Sequence, residues 1–228
     1  HINENYSEYL NRKKKLRVIF RGINIDYFSQ KNISILKQEK LKVEWQLSPD
    51  KFTILLPGRL TNWKGQEKFI DALNILVEDY NSSNFQTVIL GSDQGRKVYK
   101  KKLVSLVQRY RLGRKIIFVD HCKEMPLAYS LADVVVSSSI EPEAFGRVSV
   151  EAQSMGKPII ASDLGGSKET ILNKKSGFLY KHDDPRELAK NLNIVMELGQ
   201  DALNSMGNEG RKNIVKKFDV EAMCDSTL

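Results

Sequence analysis

The chain has 228 residues, of which 41% are hydrophobic, and a formal net charge of +8. This length is enough for one domain with a sizeable core, and no apolar run approaches the ~20 residues needed to span a bilayer. Two cysteines, Cys122 and Cys224, exclude a disulfide framework and are typical of a reducing cytoplasm. Aromatic residues make up only 8% of the chain and no nucleic-acid motif is present, so the positive charge favours a phosphorylated substrate or an anionic membrane as partner.

The N-terminal part of the chain has only weak sequence signals for secondary structure. It starts at His1 without a Met or a signal-peptide pattern, which predicts a segment of a longer protein. A short apolar run, Leu16–Phe20, predicts a strand, and the turn residues Gly22 and Asn24 follow it. Residues 31–46 are highly charged and predict a surface helix.

Six apolar runs alternate with helical patterns along the rest of the chain. Each run is short and rich in Val, Ile, Leu or Phe, so we expect strands that are buried on both faces. The predicted strands are Phe52–Leu56, Thr87–Leu90, Ile116–Val119, Ala132–Val136, Pro158–Ser162 and Gly177–Tyr180. This order predicts an α/β domain with a doubly wound parallel sheet of the Rossmann-like type and ligand loops along one edge.

Apolar residues at helical spacing fill the intervals between these strands. They are Phe69, Leu73, Leu76 and Tyr80, then Val98, Leu103, Leu106, Val107 and Tyr110, then Phe145, Val148, Ala152 and Met155, and finally Leu188, Leu192 and Val195. The last of these helices has a clear start signal in Asp184-Pro185-Arg186-Glu187. Gly156 is typical of the end of the helix before it.

The helix near residue 100 is strongly basic. From Arg96 to Lys115 the chain has nine Lys or Arg residues and no acid. Such a stripe is either a solvated helix face or a contact with anionic lipid headgroups, and both interpretations stay open.

The loop after the first buried strand carries two cations. Gly58, Arg59 and Lys64 lie between that strand and the next helix. Arg can form bidentate hydrogen bonds with phosphate oxygens and Lys adds a mobile charge, so this arrangement suits a diphosphate. The simpler alternative is that both residues are surface charges. Gly91 and Ser92, after the second strand, are consistent with either a ligand loop or an ordinary turn. His121, after the third strand, is more typical of a loop hydrogen bond than of catalysis.

Glu141–Gly156 is the most informative stretch, because it places a carboxylate on each side of a turn from strand to helix. Glu143 lies in the loop and Glu151 lies about two helical turns further on. A helix N-terminus suits an anion, and carboxylates accept hydrogen bonds from hydroxyl groups, so the pattern favours a sugar nucleotide. The alternative is that Glu143 complements the helix dipole and Glu151 is solvated.

The residues and spacing of these motifs resemble those of a known family. Glu143 and Glu151, with Pro142 before them and Ala144-Phe145-Gly146-Arg147 between them, resemble the donor-sugar motif of retaining glycosyltransferases of the GT-B fold, family 4. Pro57-Gly58-Arg59 followed by Trp63-Lys64-Gly65-Gln66 is similar to that family's diphosphate segment.

The resemblance implies a role for each candidate. Arg59 and Lys64 would act as catalytic cations on the leaving diphosphate, together with the catalytic Glu143 on the transferred sugar. Glu151 would bind the ribose. The remaining substrate-binding candidates are Gly58, Gly91, Ser92, His121, Ala144, Phe145, Gly146 and Arg147. The reaction would proceed through an oxocarbenium-like transition state without a metal or another cofactor.

The resemblance also implies a domain organisation. Residues 1–28 would be the tail of an absent N-terminal acceptor-binding domain, and residues 29–228 would form the C-terminal nucleotide-sugar-binding domain. We expect a cytoplasmic hexosyltransferase of cell-envelope polysaccharide or lipopolysaccharide synthesis, with peripheral contact at the inner face of the cytoplasmic membrane. Two alternatives are a GT-B sugar-nucleotide epimerase and a non-catalytic polyanion-binding module.

Overall fold

The computed structural model describes residues 19–227. The strand predicted at Leu16–Phe20 lies largely outside the described residues, and its last two residues, Ile19 and Phe20, are not in a strand. The described part of the chain contains a parallel six-stranded sheet with helices on both faces, as the sequence predicts.

The six strands predicted between Phe52 and Tyr180 are all present. Their bounds are β1 Phe52–Pro57, β2 Phe85–Leu90, β3 Ile116–Val119, β4 Val134–Ser137, β5 Ile159–Ser162 and β6 Gly177–Tyr180. They lie in the order β3-β2-β1-β4-β5-β6, and each neighbouring pair is parallel. The doubly wound α/β architecture is therefore confirmed.

The strand order reverses at β1. From β1 the chain adds β2 and β3 on one side, and it then crosses back to place β4 on the other side of β1, with Ile54 opposite Val134. In open α/β sheets, ligands bind in the crevice outside the carboxyl ends of the strands at such a reversal. The loops after β1 and β4 carry the two main candidate motifs, so the topology brings them to the same crevice.

Nine helices accompany the strands among the described residues. They are α1 Ile35–Glu44, α2 Gln66–Glu78, α3 Lys97–Arg109, α4 Met125–Ser130, α5 Arg147–Ser154, α6 Ser167–Thr170, α7 Pro185–Glu197, α8 Gln200–Lys217 and α9 Val220–Thr227. Two short 3-10 turns lie at Gln30–Asn32 and Asn62–Lys64. As predicted, the Asp184 carboxylate caps α7 by accepting from the backbone N–H groups of Arg186 and Glu187.

The core has one apolar layer on each face of the sheet. Side chains alternate along β1, so Ile54 and Leu56 face the layer that contains α2 and α7, whereas Leu55 faces the layer that contains α4, α5 and α8. All three side chains are at most 2% exposed. Burial on both faces explains why the strands are continuous apolar runs.

Three details of the predicted helices are wrong. Val98 is 84% exposed and does not belong to the buried side of α3. Tyr80 lies beyond the end of α2 and is half exposed. Phe145 precedes α5, which begins at Arg147, although its ring still packs against the core.

Residues 19–28 lie against the C-terminal helices. The Ile23 N–H donates to the carbonyl of Phe218 at 2.9 Å, and the Val220 N–H donates to the carbonyl of Ile23 at 3.0 Å. Phe28 is buried in the layer that contains α4 and α5. These contacts bring the segment Arg21–Phe28 to the edge of the crevice.

Candidate functional site

A cavity of about 660 Å³ opens beside the strand-order reversal. Its walls are the segment Arg21–Phe28, Pro57 at the end of β1 with Gly58 after it, Met125 and Tyr129 of α4, and the start of α5 with Phe145 before it. Glu151 and Arg147 also line it. A cavity of this size is in the range of small-molecule and cofactor sites.

The loop after β1 is held by the neighbouring loop after β2. The Leu60 N–H donates to the carbonyl of Ser92 at 3.0 Å. A Cβ at Gly91 would lie 1.9 Å from the Gly58 carbonyl oxygen, so only glycine permits this approach. Gly91 and Ser92 therefore shape the loop that carries Arg59 and Lys64.

The loops after β1 and β4 are locked to each other. The Ser138 hydroxyl donates to the carbonyl of Lys64 at 2.9 Å, and the Ile140 N–H donates to that of Trp63 at 2.8 Å. Gly65 has a φ of +68°, and a Cβ there would lie 1.9 Å from the Ser138 carbonyl oxygen. The two predicted motifs thus form one rigid unit.

Lys64 and Glu143 meet directly at this junction. The Lys64 ammonium donates to Glu143 Oε1 at 2.8 Å, and their side chains are only 12% and 15% exposed. The Ser139 hydroxyl donates to the same oxygen. The ammonium also lies 4.4 Å from the centre of the Trp63 ring, and the Arg59 guanidinium lies 5.8 Å from it. This cluster combines two cations and a carboxylate, of which Lys64 and Glu143 are largely shielded from water, whereas Arg59 is exposed.

A pair of glycines fixes the backbone around Glu143. The Gly166 N–H donates to the Glu143 carbonyl at 2.8 Å. A Cβ at Gly165 would lie 2.4 Å from that carbonyl oxygen, and one at Gly166 would lie 2.4 Å from the carbonyl carbon of Phe145. The loop after β5 therefore supports the Glu143 loop through backbone contacts.

Glu151 faces the cavity from α5 and is buried. Its side chain is 7% exposed, and Arg147, one turn earlier, donates to Oε1 through Nη2 at 2.8 Å and Nε at 3.1 Å. The hydroxyl of Tyr129 donates to Oε2 at 2.8 Å. Burial, and then the charge of Glu151, hold the pKa of Tyr129 well above its usual range, so the phenol is a protonated donor. The interpretation of Glu151 as a solvated residue is wrong.

The predicted residues lie in different parts of the structure. Gly58, Phe145, Arg147 and Glu151 line the main cavity, whereas Arg59, Lys64 and Glu143 form the adjoining ionic cluster. Gly146 has a φ of +70° at the start of α5, where no side chain caps the first turn. Ala144 lines a separate cavity of about 290 Å³ with Gly165 and Gly166. The structure does not bring His121 into the main cavity, since it lines another of about 310 Å³ with Lys37 and Trp45.

Two side chains in these contacts were missed by the sequence reasoning. Tyr129 supports Glu151, and Ser139 supports Glu143. Ser139 is the last of three serines after the β4 run, which marks a polar strand end but not a particular partner. Tyr129 is the single aromatic residue of a short apolar helix, a pattern that predicts only burial.

Comparison with known sequences identifies the family of this chain. A model of the family described as glycosyl transferases group 1 matches residues 37–213. The chain belongs to this family. Its matched region contains the ionic cluster, Tyr129 and Glu151.

Sequence relatives and solved structures are similar to this group 1 chain. It is 28% identical over 219 residues to the D-inositol 3-phosphate glycosyltransferase of Jonesia denitrificans, and the match covers 95% of this chain and 51% of that protein. A crystal structure of a glycosyltransferase from Rickettsia africae superposes with a TM-score of 0.91 at 29% identity, covering 100% of this chain and 58% of the other. Anabaena Alr3699/HepE, solved in complex with UDP-glucose, has a TM-score of 0.82 at 27% identity, covering 92% and 55%.

These matches establish the GT-B glycosyltransferase fold class. The chain spans about half of the length of the curated relatives. Among the residues that the structure describes, no helix has both the length and the apolar character needed to cross a bilayer.

Proposed function

We propose that this chain is the donor-binding, C-terminal half of a retaining family 4 glycosyltransferase, which transfers a sugar from a nucleoside-diphosphate sugar without a metal. The observation that carries the proposal is the Lys64–Glu143 contact at the strand-order reversal, beside a cavity that Glu151 lines. The cluster supplies cations for a leaving diphosphate and a carboxylate for sugar hydroxyls. Glu151 supplies a second carboxylate in the same crevice, outside the Lys64–Glu143 cluster.

The cations act on the leaving group. Lys64 has three N–H donors and gives one to Glu143, so it retains donors for phosphate oxygens. Arg59 adds a second positive charge near the Trp63 ring, and the uncapped first turn of α5 adds backbone N–H groups. Positive groups held in advance where negative charge develops stabilise the transition state without reorganisation.

The carboxylates act on hydroxyl groups. Glu143 binds hydroxyls of the transferred sugar, and its negative charge beside the diphosphate-binding cations would favour an oxocarbenium-like centre. Glu151 binds the ribose in the main cavity. The hydrogen bonds from Ser139, Lys64, Tyr129 and Arg147 hold both carboxylates in fixed orientations, which supports a role in recognition.

A nucleotide sugar as partner is supported by the UDP and UDP-glucose complexes of the Anabaena neighbour. The acceptor would be bound by an N-terminal domain of the same protein, of which residues 1–28 are the tail. This part of the proposal is supported by the chain's span of about half of its relatives' length. UDP-glucose is accordingly the first donor to test.

The proposal includes an acceptor in cell-envelope polysaccharide or lipopolysaccharide synthesis and peripheral contact with the cytoplasmic face of the membrane. The outward face of α3 supports the contact, since Lys97, Lys101 and Arg109 are exposed there and none of them forms an ion pair with another described residue. Val98, next to Lys97 in the sequence, adds an 84% exposed apolar side chain. Basic and apolar groups together suit an anionic lipid surface.

Thermal-shift and calorimetric measurements with a panel of nucleoside diphosphates and their sugar conjugates test the proposed function. One sugar nucleotide should raise the melting temperature in proportion to its affinity. Stabilisation by any polyanion, with steep salt dependence and no preference for a sugar nucleotide, would instead indicate a polyanion-binding module. Release of an epimerised sugar nucleotide without an acceptor would indicate an epimerase.

A further inference from the structure

The hydroxyl of Tyr129 reaches Glu151 from the protein side of the crevice. Tyr129 lies on α4, is fully buried, and donates to Glu151 Oε2 at 2.8 Å. We propose that Tyr129 is a positioning residue that fixes the Glu151 carboxylate so that it selects ligands with an intact ribose diol. This inference rests on the proposed ribose role of Glu151 and adds the residue that gives the carboxylate its direction.

The two oxygens of the Glu151 carboxylate accept hydrogen bonds from different residues. Arg147 donates only to Oε1, and Tyr129 donates only to Oε2. The Arg147 side chain is 71% exposed, whereas Tyr129 is enclosed in the core. The Arg147 contact is therefore the one that an entering ligand can displace, and the Tyr129 contact is the one that persists.

This division suits a diol. A carboxylate has about four acceptor positions, so Oε2 keeps one free while it accepts from Tyr129. One ribose hydroxyl can take the place of Arg147 at Oε1, and the other can use the free position on Oε2. Each hydroxyl then meets a different oxygen, which requires a fixed orientation of the carboxylate.

Tyr129 is itself held in place and in one protonation state. Its ring makes an edge contact with Phe28 at a centroid distance of 6.2 Å. Burial, and then the negative charge of Glu151, raise the pKa of Tyr129 far above neutral pH, so the hydroxyl acts as a donor. A fixed donor behind a carboxylate sets the direction of that carboxylate toward the cavity.

Tyr129→Phe tests the inference, because it removes the hydroxyl and keeps the ring. The probe is the nucleoside diphosphate that the wild-type chain binds in the panel, with UDP first, compared by calorimetry with its 2′-deoxy analogue. We expect the wild-type chain to prefer the ribose form and Tyr129→Phe to lose roughly 3- to 10-fold of that preference, the usual effect of one hydrogen bond. In a Glu151→Gln background, Tyr129→Phe should change the preference no further.

Tyr110→Phe is the matched control, since the Tyr110 hydroxyl donates to Asp71 Oδ1 at 3.0 Å and lines none of the cavities named above. It should leave the ribose preference unchanged. The inference is overturned if Tyr129→Phe keeps the full preference, or if it weakens the ribose and deoxyribose ligands equally, as a packing role predicts. A wild-type chain that binds none of the nucleoside diphosphates would instead refute the proposed function itself.

Discussion

Lys64 and Glu143 are 79 residues apart in sequence, yet their charged groups lie 2.8 Å apart where the loops after β1 and β4 meet. The family resemblance assigns Lys64 to the diphosphate and Glu143 to the transferred sugar. Their contact means that the two parts of the site are coupled before any ligand enters. Removal of the Lys64 ammonium should therefore also weaken the binding of sugar hydroxyls by Glu143.

The first prediction concerns the cations. Arg59→Ala and Lys64→Ala should each weaken binding of a nucleoside diphosphate by about 1.5–3 kcal/mol, the usual value of a hydrogen bond to a charged group, and should change nucleoside binding little. Lys64→Ala should also reduce the added affinity of the sugar, because it leaves the Glu143 carboxylate without its cation.

Calorimetric titration with nucleoside, diphosphate and sugar conjugate measures these effects. Lys212→Ala is the control, because Lys212 pairs with Glu209 on the exposed surface of α8. It removes the same charge and should alter no ligand affinity. Equal losses for nucleoside and diphosphate in Arg59→Ala or Lys64→Ala would show that the loop does not bind phosphate.

The second prediction concerns Gly91. Gly91→Ala should weaken diphosphate binding without a direct ligand contact, because its Cβ would overlap the Gly58 carbonyl oxygen and displace the loop that carries Arg59. Gly113→Ala is the control, since nothing lies within 4 Å of its added Cβ. Chemical denaturation and titration of both variants separate stability from affinity. Unchanged affinity in Gly91→Ala would mean that the loop after β2 does not shape the site.

The strands could be predicted from sequence because burial on both faces leaves a continuous apolar run. The bounds of β3 and β6 match the predicted Ile116–Val119 and Gly177–Tyr180. The assignment of Val98 to the core was wrong for a geometric reason. At 100° per residue, Val98 lies about 180° around α3 from the buried Val107, so a stricter use of helical spacing places it outside.

The candidate site could be predicted only in part. The motif residues near β1 and β4 converge because parallel strands end at one edge of the sheet. The partners of those residues depend on tertiary packing, which short-range patterns do not encode. Tyr129 is an example, because only the packing of α4 against α5 brings its hydroxyl to Glu151. His121 has a polar loop position in the sequence, but the structure places it along a different cavity.

The third prediction concerns the outward face of α3. Replacing Lys97, Lys101 and Arg109 with Gln should weaken binding to vesicles of phosphatidylcholine and phosphatidylglycerol by about 1 kcal/mol for each cation. The control replaces Lys212, Lys216 and Lys217, three exposed cations of α8. Vesicle co-sedimentation measures both variants. Equal losses in the two variants, or no binding by the wild-type chain, would contradict membrane contact through α3.

The fourth prediction concerns activity. The chain by itself should bind the nucleoside diphosphate but should not glycosylate an acceptor. Binding residues for an acceptor would lie in the N-terminal domain, and transfer requires both reactants in attack geometry. Product analysis with labelled donor measures this. Acceptor-dependent transfer by the purified chain would contradict the proposed division between donor and acceptor domains.

The fifth prediction separates the two carboxylates, because the proposal gives them partners at opposite ends of one ligand. Glu151→Gln keeps the shape but removes the charge that faces the ribose, so affinity for the diphosphate and for its sugar conjugate should fall together. Glu143→Gln should spare the bare diphosphate and reduce only the affinity added by the sugar. In an enzyme with both domains it should also lower turnover, since charge near an oxocarbenium-like centre matters most in the transition state.

Calorimetric titration of Glu143→Gln and Glu151→Gln with the same diphosphate and its sugar conjugate is the most direct measurement of this account. We expect Glu151→Gln to weaken both ligands and Glu143→Gln to weaken only the conjugate. Identical ligand profiles for the two variants, or unchanged affinities with only a small loss of folding stability, would contradict the assignment of the two carboxylates to ribose and sugar.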